Sequence, residues 1–440
     1  MRFDYIAAIG VKDGQPNMFY AAHLMPAGSK QLYDIISGNF YSLEVEFDKE
    51  IAVLEAQMER KTMQADGKYQ ESAILISVSK DLRHEQEESL DELEELAKSS
   101  DILVLEKVIQ SPKEINPKYL MGIGRLKELI IDALGKGASL LIFDQDLSAS
   151  QVRSITDLTE IKVIDRSQLI LDIFARRAHS GDGKVQVELA QLKYMLPRLT
   201  GKGSAMSRLM GGIGARGPGE MKLEIDRRRV KDRVHLLERQ LKKLSDARYE
   251  RKKNRIKSAI PIVSIIGYTN AGKSTLLNAL TKSSAFVEDK MFATLDTASR
   301  RLRFPHERDI IVTDTVGFIR DLPKDLLSAF KATLEELEDA QLLLHLVDIS
   351  NPRFMQHISS VETILEELNF KDKPQLLVFN KIDLISNEEA LNLANRYNAA
   401  PVCAKDNSTF AALLNELEDR IFCKQHVTHD YYETRELCRY

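Results

Sequence analysis

Short apolar runs alternate with amphipathic stretches of helical period from Ala73 onward. Each run is bounded by polar or glycine-containing turns, as expected of a buried strand, and the stretches between them repeat apolar residues every three or four positions. This alternation of strands and helices predicts a parallel sheet. The predicted strands are 73–78, 102–108, 139–143 and 162–165, and the predicted helices are 89–98, 124–134, 148–158 and 167–178. We therefore expect an α/β domain over residues 73–184.

The first 72 residues follow a weaker pattern. Apolar pieces at Tyr5–Ile9 and Met18–Leu24 precede a helical stretch at Phe47–Lys61. They predict a small α/β extension in front of the domain.

The pattern changes again over residues 185–258. Apolar residues recur at helical spacing from Leu189 to Leu199, and a second series from Val230 to Leu244 follows steps of 4, 3, 4 and 3 residues. The second series has the spacing of a coiled-coil seam. Between the two series lies a loop with seven of the chain's 21 glycines. Two helices with one apolar stripe each predict an αα-hairpin subdomain with a glycine-rich connection.

Residues 259–424 contain the motifs with recognisable chemistry. The apolar run Ile260–Ile266 leads into Gly267–Ser274, which has the spacing G-x-x-x-x-G-K-S/T, and a helical pattern starts at Thr275. Strand, glycine loop and helix in this order form a phosphate-binding loop, because the glycines let backbone N–H groups point at the phosphates. The alternative is a turn followed by a lysine. The predicted binding residues are Gly267, Tyr268, Thr269, Asn270, Ala271, Gly272, Lys273, Ser274 and Thr275.

A second motif indicates that the base is guanine. Asn380–Asp383 follows an apolar run, at the carboxyl end of a predicted strand, where open α/β sheets bind ligands. The Asp383 carboxylate can accept from both the ring N–H and the exocyclic amine of guanine, a pair that adenine lacks. Asn380 would bridge the base edge and the phosphate loop, and Lys381 would lie over the nucleotide. Past Pro401-Val402, a backbone N–H of Cys403, Ala404 or Lys405 could meet the guanine oxygen.

Magnesium and the γ-phosphate also have predicted partners. Lys273 is expected to reach the β- and γ-phosphates, and the Ser274 hydroxyl is expected to ligate Mg²⁺. Asp314 ends a predicted strand and would hold the metal through water. Three residues later, the Gly317 N–H would meet the γ-phosphate.

Two further features bear on hydrolysis. The segment from Phe292 to Thr297 supplies switch hydroxyls; Thr294 is the predicted second metal ligand and Thr297 is its competitor. Phe318 stands where many GTPases carry a water-orienting glutamine. Since a phenyl ring cannot polarise water, unassisted hydrolysis is expected to be slow and to need a partner, a K⁺ ion or a rearranged switch. Asn270 is the candidate K⁺ ligand, or else forms a hydrogen bond within the loop. The predicted catalytic set is Lys273, Thr294, Gly317 and Phe318.

The distribution of charge along the chain indicates which kind of partner it binds. The 440-residue chain has a net charge of −4, which excludes a uniformly basic nucleic-acid binder. From Lys222 to Lys257, however, 15 Lys or Arg stand against 6 Asp or Glu, a local charge of +9. This excess favours a phosphate backbone as partner; a solvated coiled coil is the alternative.

Three cysteines without metal spacing fit a reducing compartment, and no apolar run has the length of a membrane span. We expect a cytoplasmic protein, monomeric in solution.

Taken together, the motifs resemble those of the HflX family of ribosome-associated GTPases. The resemblance covers residues 73–424 and is carried by Val187–Tyr194, Pro197–Leu199, Gly214–Glu220, Leu223–Arg228, Gly267–Thr275, Phe292–Asp296 and Asp314–Ile319. The expected fold is α/β, with a P-loop GTPase domain on a doubly wound, mostly parallel sheet, preceded by an α/β N-terminal domain and the αα-hairpin. The expected domains are 1–72, 73–184, 185–258 and 259–424, with a short tail at 425–440.

The resemblance implies a protein that uses GTP with Mg²⁺ and binds the large ribosomal subunit and its RNA. Related proteins split stalled or idle ribosomes into subunits, and their N-terminal region is associated with ATP binding. Four departures from the family pattern matter. Thr297 stands where proline is common, Cys403 replaces serine, Met221-Lys222 replaces a more polar pair, and the C-terminal tail is short.

Two other functions stay open at this point. One is a GTPase in ribosome assembly or RNA processing; a tRNA-modifying version would need a further catalytic domain. The other is a nucleotide-gated adaptor whose target is a protein. Steep weakening of binding with salt would distinguish RNA from a protein target, because RNA binding releases counterions.

Overall fold

The structure is a computed structural model that describes residues 5–24, 33–42, 51, 71–200, 225, 227–244, 260–281, 298–304, 308–320 and 337–423. Internal contacts divide the chain into two units. The first is built largely on residues up to Ile170, and the second on Leu171–Leu196 and the chain from Ile225 onward. Each is described by itself.

The first unit begins with a three-stranded antiparallel sheet. Its strands are β1 (Tyr5–Lys12), β2 (Gln15–Leu24) and β3 (Tyr33–Asn39), in that order across the sheet. Asp13 and Gly14 join β1 to β2 with φ angles of 53° and 78°. Positive φ at both positions is the geometry that an Asp-Gly hairpin turn favours. The helical stretch predicted at 47–61 lies outside the described residues, apart from position 51.

A four-stranded parallel sheet follows, in the order β5-β4-β6-β7. It confirms the predicted alternation of strands and helices. Because β4 lies between β5 and β6, the chain reverses its direction of winding there, which makes the sheet doubly wound. Its elements are β4 (Glu71–Val78), α1 (Arg83–Ser99), β5 (Ile102–Gln110), α2 (Ile123–Gly135), β6 (Leu140–Phe143), α3 (Ala149–Thr156) and β7 (Lys162–Asp165), and α4 (Arg166–Arg177) comes next.

The second unit contains the two helices of the predicted hairpin. Helices α5 (Gly181–Met195) and α6 (227–244) pack along an apolar seam centred on Leu189 and Leu237. The Arg233 guanidinium donates to both carboxylate oxygens of Glu188, at 2.7 and 2.8 Å. The seam is formed by Val185, Leu189, Leu192, Val230, Val234, Leu237 and Leu241. The pairing of the two helices is therefore confirmed, while their glycine-rich connection lies outside the described residues.

Replacing Leu237 with alanine is expected to destabilise this helix pair by about 2–5 kcal/mol, because it leaves a cavity in a tightly packed seam. Leu237 is fully buried, whereas its neighbour Leu236 is 39% exposed. Leu236→Ala is therefore the matched control and should stay within about 0.5 kcal/mol of the parent. Hydrogen exchange of the α5 and α6 amides measures the effect. Equal exchange rates in the two variants would contradict the seam.

The remainder of the second unit is built on a six-stranded sheet, in the order β13-β12-β11-β8-β10-β9. Only β9 runs antiparallel to its neighbour, so the mostly parallel sheet is confirmed. The elements are β8 (Ile262–Gly267), α7 (Lys273–Leu280), β9 (Ala298–Arg303), β10 (Asp309–Asp314), β11 (Leu342–Asp348), α8 (Phe354–Glu367), β12 (Gln375–Asn380), α9 (Asn387–Tyr397), β13 (Ala400–Pro401) and α10 (Phe410–Glu418).

The parallel strands of this sheet all end at one edge, and their carboxyl ends bring the predicted motifs together. Apolar side chains of β8, β10, β11 and β12 form the core beneath that edge. The apolar period of residues 326–337 also predicts a helix, which lies outside the described residues apart from Leu337, as does the tail 425–440. Among the described residues, no helix is both long and apolar enough to cross a membrane.

Candidate nucleotide site

The phosphate loop needs glycine at both of its ends. It leaves β8 at Gly267 and enters α7 after Gly272, and both residues have positive φ, 151° and 93°. A Cβ at Gly267 would lie 2.2 Å from the Leu346 carbonyl oxygen, and one at Gly272 would lie 2.4 Å from Asn380 Nδ2. Because both positions combine strained backbone with close neighbours, side chains are excluded there. The loop can therefore curl tightly in front of the first turn of α7.

The lysine of this loop is buried against the loop backbone. Lys273 Nζ donates to the carbonyl oxygens of Gly267 at 3.2 Å and of Tyr268 at 2.8 Å. Burial lowers the pKa of Lys273 to about 8, and the charge of Asp314 partly opposes that shift. A phosphate group beside Nζ would favour the ammonium form further. The site thus holds a cation with two carbonyl contacts at the place where phosphate charge is expected.

The two predicted metal-binding residues that the structure describes lie side by side. Ser274 Oγ donates to Asp314 Oδ2 at 2.6 Å, joining the start of α7 to the end of β10. A hydroxyl and a carboxylate are hard oxygen donors that suit Mg²⁺, which usually takes few protein ligands and completes its shell with water and phosphate. The donor set therefore fits the ion. The other predicted ligand, Thr294, lies outside the described residues, as do Phe292 and Thr297.

Residues 315–320, here called the closing segment, lie against the phosphate loop. Thr315 Oγ1 donates to the Ile265 carbonyl oxygen at 2.7 Å, which anchors the start of the segment to β8. Phe318 is buried and forms a parallel β-bridge with Tyr268. Its ring therefore cannot orient an attacking water, which agrees with the expected slow unassisted hydrolysis.

The predicted base-reading residues meet around Asn380. The Asn380 amide, at the end of β12, donates to the Ala271 carbonyl oxygen at 2.7 Å and accepts from the Ala404 N–H at 2.9 Å. It thus ties the phosphate loop to the loop after β13. Lys381 has a left-handed backbone, with φ of 63°, and its Nζ lies 2.7 Å from Asp348. The backbone N–H groups of Ala404 and Lys405 stay candidate donors to the guanine oxygen.

The carboxylate that would read guanine is in contact with a thiol. Asp383 lies in the turn Ile382–Leu384, and its Oδ1 accepts from Cys403 Sγ at 3.2 Å. Burial raises the pKa of Cys403, and the hydrogen bond to Asp383 raises it further, so the thiol stays protonated. The Cys403 N–H in turn donates to Thr409 Oγ1 at 3.0 Å. The carboxylate is therefore oriented by a donor that keeps its proton at neutral pH.

Sequence models of three GTPase families match successive parts of the chain. The N-terminal region of GTP-binding GTPases matches residues 87–175, their middle region matches 177–255, and the 50S ribosome-binding GTPase model matches 262–381. GTPase HflX of Caldanaerobacter subterraneus is 46% identical over 83% of this chain and 85% of its own length. GTPase HflX of Escherichia coli is 40% identical over 80% of this chain and 83% of its own. The chain belongs to the HflX family of GTPases.

As an HflX GTPase, the chain hydrolyses GTP to GDP and phosphate. The phosphate-loop residues and the base-reading residues lie at the same sheet edge, as the sequence motifs predict. Their individual roles in binding and in catalysis stay predictions, which substitutions at each position can test. Mg²⁺, when bound, would neutralise phosphate charge in the transition state.

Cys403 is expected to act as a hydrogen-bond donor in this HflX member. Cys403→Ser keeps a donor of smaller radius, so GDP affinity should stay within about threefold of the parent. Cys403→Ala removes the donor, and GDP affinity should fall by about two- to tenfold. Isothermal titration with GDP measures both. If the alanine variant binds as tightly as the parent, the thiol does not orient Asp383.

Three polar residues around the site have no place in the sequence motifs. Asp348 pairs with Lys381, and Thr409 holds the Cys403 backbone. His345 is buried in β11, where burial and then the charge of Lys273 lower its pKa to about 4, so the ring is neutral at pH 7. A polar residue inside the apolar run 342–348 is the sequence signal for His345. Asp348 could have been found as the residue that ends this strand.

Proposed function

We propose that this HflX GTPase is a switch that binds the large ribosomal subunit in its GTP form and splits stalled or idle ribosomes into subunits. Support comes from the match of residues 262–381 to a family described as 50S ribosome-binding GTPases. The observation that carries the proposal is the charge of α6, which adds a surface suited to ribosomal RNA.

Helix α6 carries its cations outside the apolar seam. Its described part, 227–244, holds eight Lys or Arg and only two Asp or Glu. All eight cations are exposed, whereas Val234 and Leu237 are buried in the seam. Such a row can neutralise several phosphates of an RNA backbone, and the release of counterions strengthens binding at low salt. The exposed cations are Arg227, Arg228, Arg229, Lys231, Arg233, Arg239, Lys242 and Lys243.

The remaining assignments belong to this proposal. Ser274, Asp314 and Thr294 hold Mg²⁺, and Asn270, whose φ is 60°, is offered as a K⁺ ligand. The N-terminal domain (73–184), hairpin (185–258) and GTPase domain (259–424) act together in the cytoplasm, as one chain. Ribosomal contact then supplies the assistance to hydrolysis that Phe318 cannot give.

Sedimentation of intact ribosomes tests the splitting activity. Incubation with the protein and a non-hydrolysable GTP analogue should convert them to subunits, whereas GDP should not. Arg228→Glu with Lys231→Glu should abolish the conversion. Arg83→Glu with Lys371→Glu makes the same change in net charge at exposed positions elsewhere and should leave it intact. Intact ribosomes at saturating protein and analogue would rule out splitting, and equal effects of the two double variants would rule out α6 as the RNA surface.

A further inference from the structure

Three hydrogen bonds hold the closing segment on the phosphate loop. The Thr269 N–H donates to the Phe318 carbonyl oxygen at 2.7 Å, and the Phe318 N–H donates to that of Gly267 at 3.1 Å. The Arg320 N–H donates to Tyr268 Oη at 2.9 Å. The first two use only main-chain atoms, so they involve no side-chain group. The third uses the Tyr268 hydroxyl group, so it alone of the three depends on a side chain.

Tyr268 is itself held in place by a neighbouring helix. Its ring stacks on the imidazole of His357, with ring centroids 3.9 Å apart and the planes at 4°. His357 belongs to α8, and Tyr268 is buried. The tyrosine thus joins the phosphate loop, the closing segment and α8. Since its ring is stacked and enclosed, its hydroxyl group has little freedom to leave the Arg320 N–H while the segment stays closed.

Closure has a steric consequence at Gly317. A Cβ built on Gly317 would lie 2.9 Å from Thr269 Cα and 3.1 Å from Lys273 Nζ. Position 317 therefore has no room for a side chain, and its main chain borders the space beside the Lys273 ammonium group. A γ-phosphate has to lie in that space, because the loop lysine contacts the β- and γ-phosphates. GDP ends one phosphate earlier. Hence GTP has to shift Gly317 from this position before the Gly317 N–H can meet the γ-phosphate, whereas GDP leaves the segment closed.

We infer that Tyr268 is a positioning residue that stabilises the closed segment and thereby sets the preference of this GTPase between GDP and GTP. A contact that is present only in the closed state lowers affinity for the ligand that requires opening, by the equilibrium constant of that contact. For one hydrogen bond between neutral groups, this factor is about two- to tenfold. Tyr268, the second residue of the phosphate loop, thus contributes to the free energy that favours the closed segment.

Tyr268→Phe tests this role, because it removes the hydroxyl group and keeps the ring. The ratio of the affinity for a non-hydrolysable GTP analogue to that for GDP should rise about two- to tenfold, measured by titration calorimetry with Mg²⁺ present. Tyr397→Phe is the matched control, since the Tyr397 hydroxyl donates to Met355 Sδ at 2.8 Å and not to the closing segment. Its ratio should equal that of the parent. An unchanged ratio in Tyr268→Phe, including equal loss of both affinities, would overturn the proposal.

The stack on His357 provides a second, separate readout. His357→Ala removes the ring that holds Tyr268, so the same affinity ratio should rise. His357→Phe restores a stacking partner and should return the ratio towards that of the parent. A merely structural contribution of α8 would change both nucleotide affinities together and leave the ratio constant. Equal ratios in the alanine and phenylalanine variants would overturn the role given to His357.

Discussion

Asp383→Asn should reduce the preference for guanosine over adenosine nucleotides by about 100-fold or more. A carboxylate can accept both hydrogen bonds that guanine offers, and a site built for a polar partner rejects a ligand that lacks it by several orders of magnitude. An amide in its place presents an N–H₂ group to the base and can accept only on its oxygen. Cys403 already orients the side chain at position 383, so a small rotation of that side chain cannot replace the lost acceptor oxygen. Calorimetry with GDP and ADP measures the ratio directly.

The same variant should gain affinity for xanthosine diphosphate, whose base has a carbonyl oxygen in place of the exocyclic amine. The side-chain amide introduced at position 383 would then donate to an acceptor, which restores complementarity. Asp406→Asn is the matched control, because the Asp406 side chain is exposed and accepts from the Ser408 N–H. It should leave base preference unchanged. An Asp383→Asn protein that still prefers GDP as strongly as the parent would remove Asp383 from the base site.

Lys273→Ala should lower the rate of GTP hydrolysis at saturating GTP by about 100-fold or more. Catalysis of phosphoryl transfer rests on positioning and on charge stabilisation, and a fixed cation removed from such a site costs several orders of magnitude. Lys273 is nearly fully buried and its ammonium group is held by two carbonyl oxygens, so its position in the phosphate loop is fixed. Single-turnover hydrolysis measures the chemical step apart from binding.

Lys273→Arg should be nearly as slow, because the larger guanidinium does not fit between the Gly267 and Tyr268 carbonyl oxygens. Lys371→Ala serves as the control, since Lys371 is exposed and forms its ion pair with Glu366, away from the phosphate loop. It should hydrolyse GTP at the parent rate. A Lys273→Ala protein that turns over GTP at half the parent rate or faster would contradict the assignment of the phosphate loop.

Elements with strong apolar periodicity could be predicted from the sequence, whereas polar elements could not. The strands β6 and β7 and the seam of α5 and α6 lie where the apolar pattern predicts them. Helix α1 begins at Arg83, six positions before the predicted start at Ser89, because its first turns are polar. Strand β9 contains three arginines and is defined by its pairing with β10 rather than by an apolar run. Edge strands commonly carry such charges.

In the nucleotide site, too, some residues could be predicted from the sequence and others could not. Phosphate-loop and base-reading residues are recognisable because fixed spacing in one short segment defines each motif. Asp348 is different, since it reaches the site only because β11 pairs with β12 in the register that places it beside Asn380. The stack of Tyr268 on His357 likewise joins residues from two separate segments. Such pairs depend on strand order and register, which no single segment of the sequence specifies.

GTP turnover measured against increasing concentrations of large ribosomal subunits tests the central claim most directly. Phe318 is buried and cannot orient water, and in the proposed function the ribosomal partner completes the site. We expect turnover to rise about tenfold or more and to saturate, with Arg228→Glu and Lys231→Glu shifting the half-saturation point to higher subunit concentration. Turnover that stays at its basal rate across the whole titration would contradict the account.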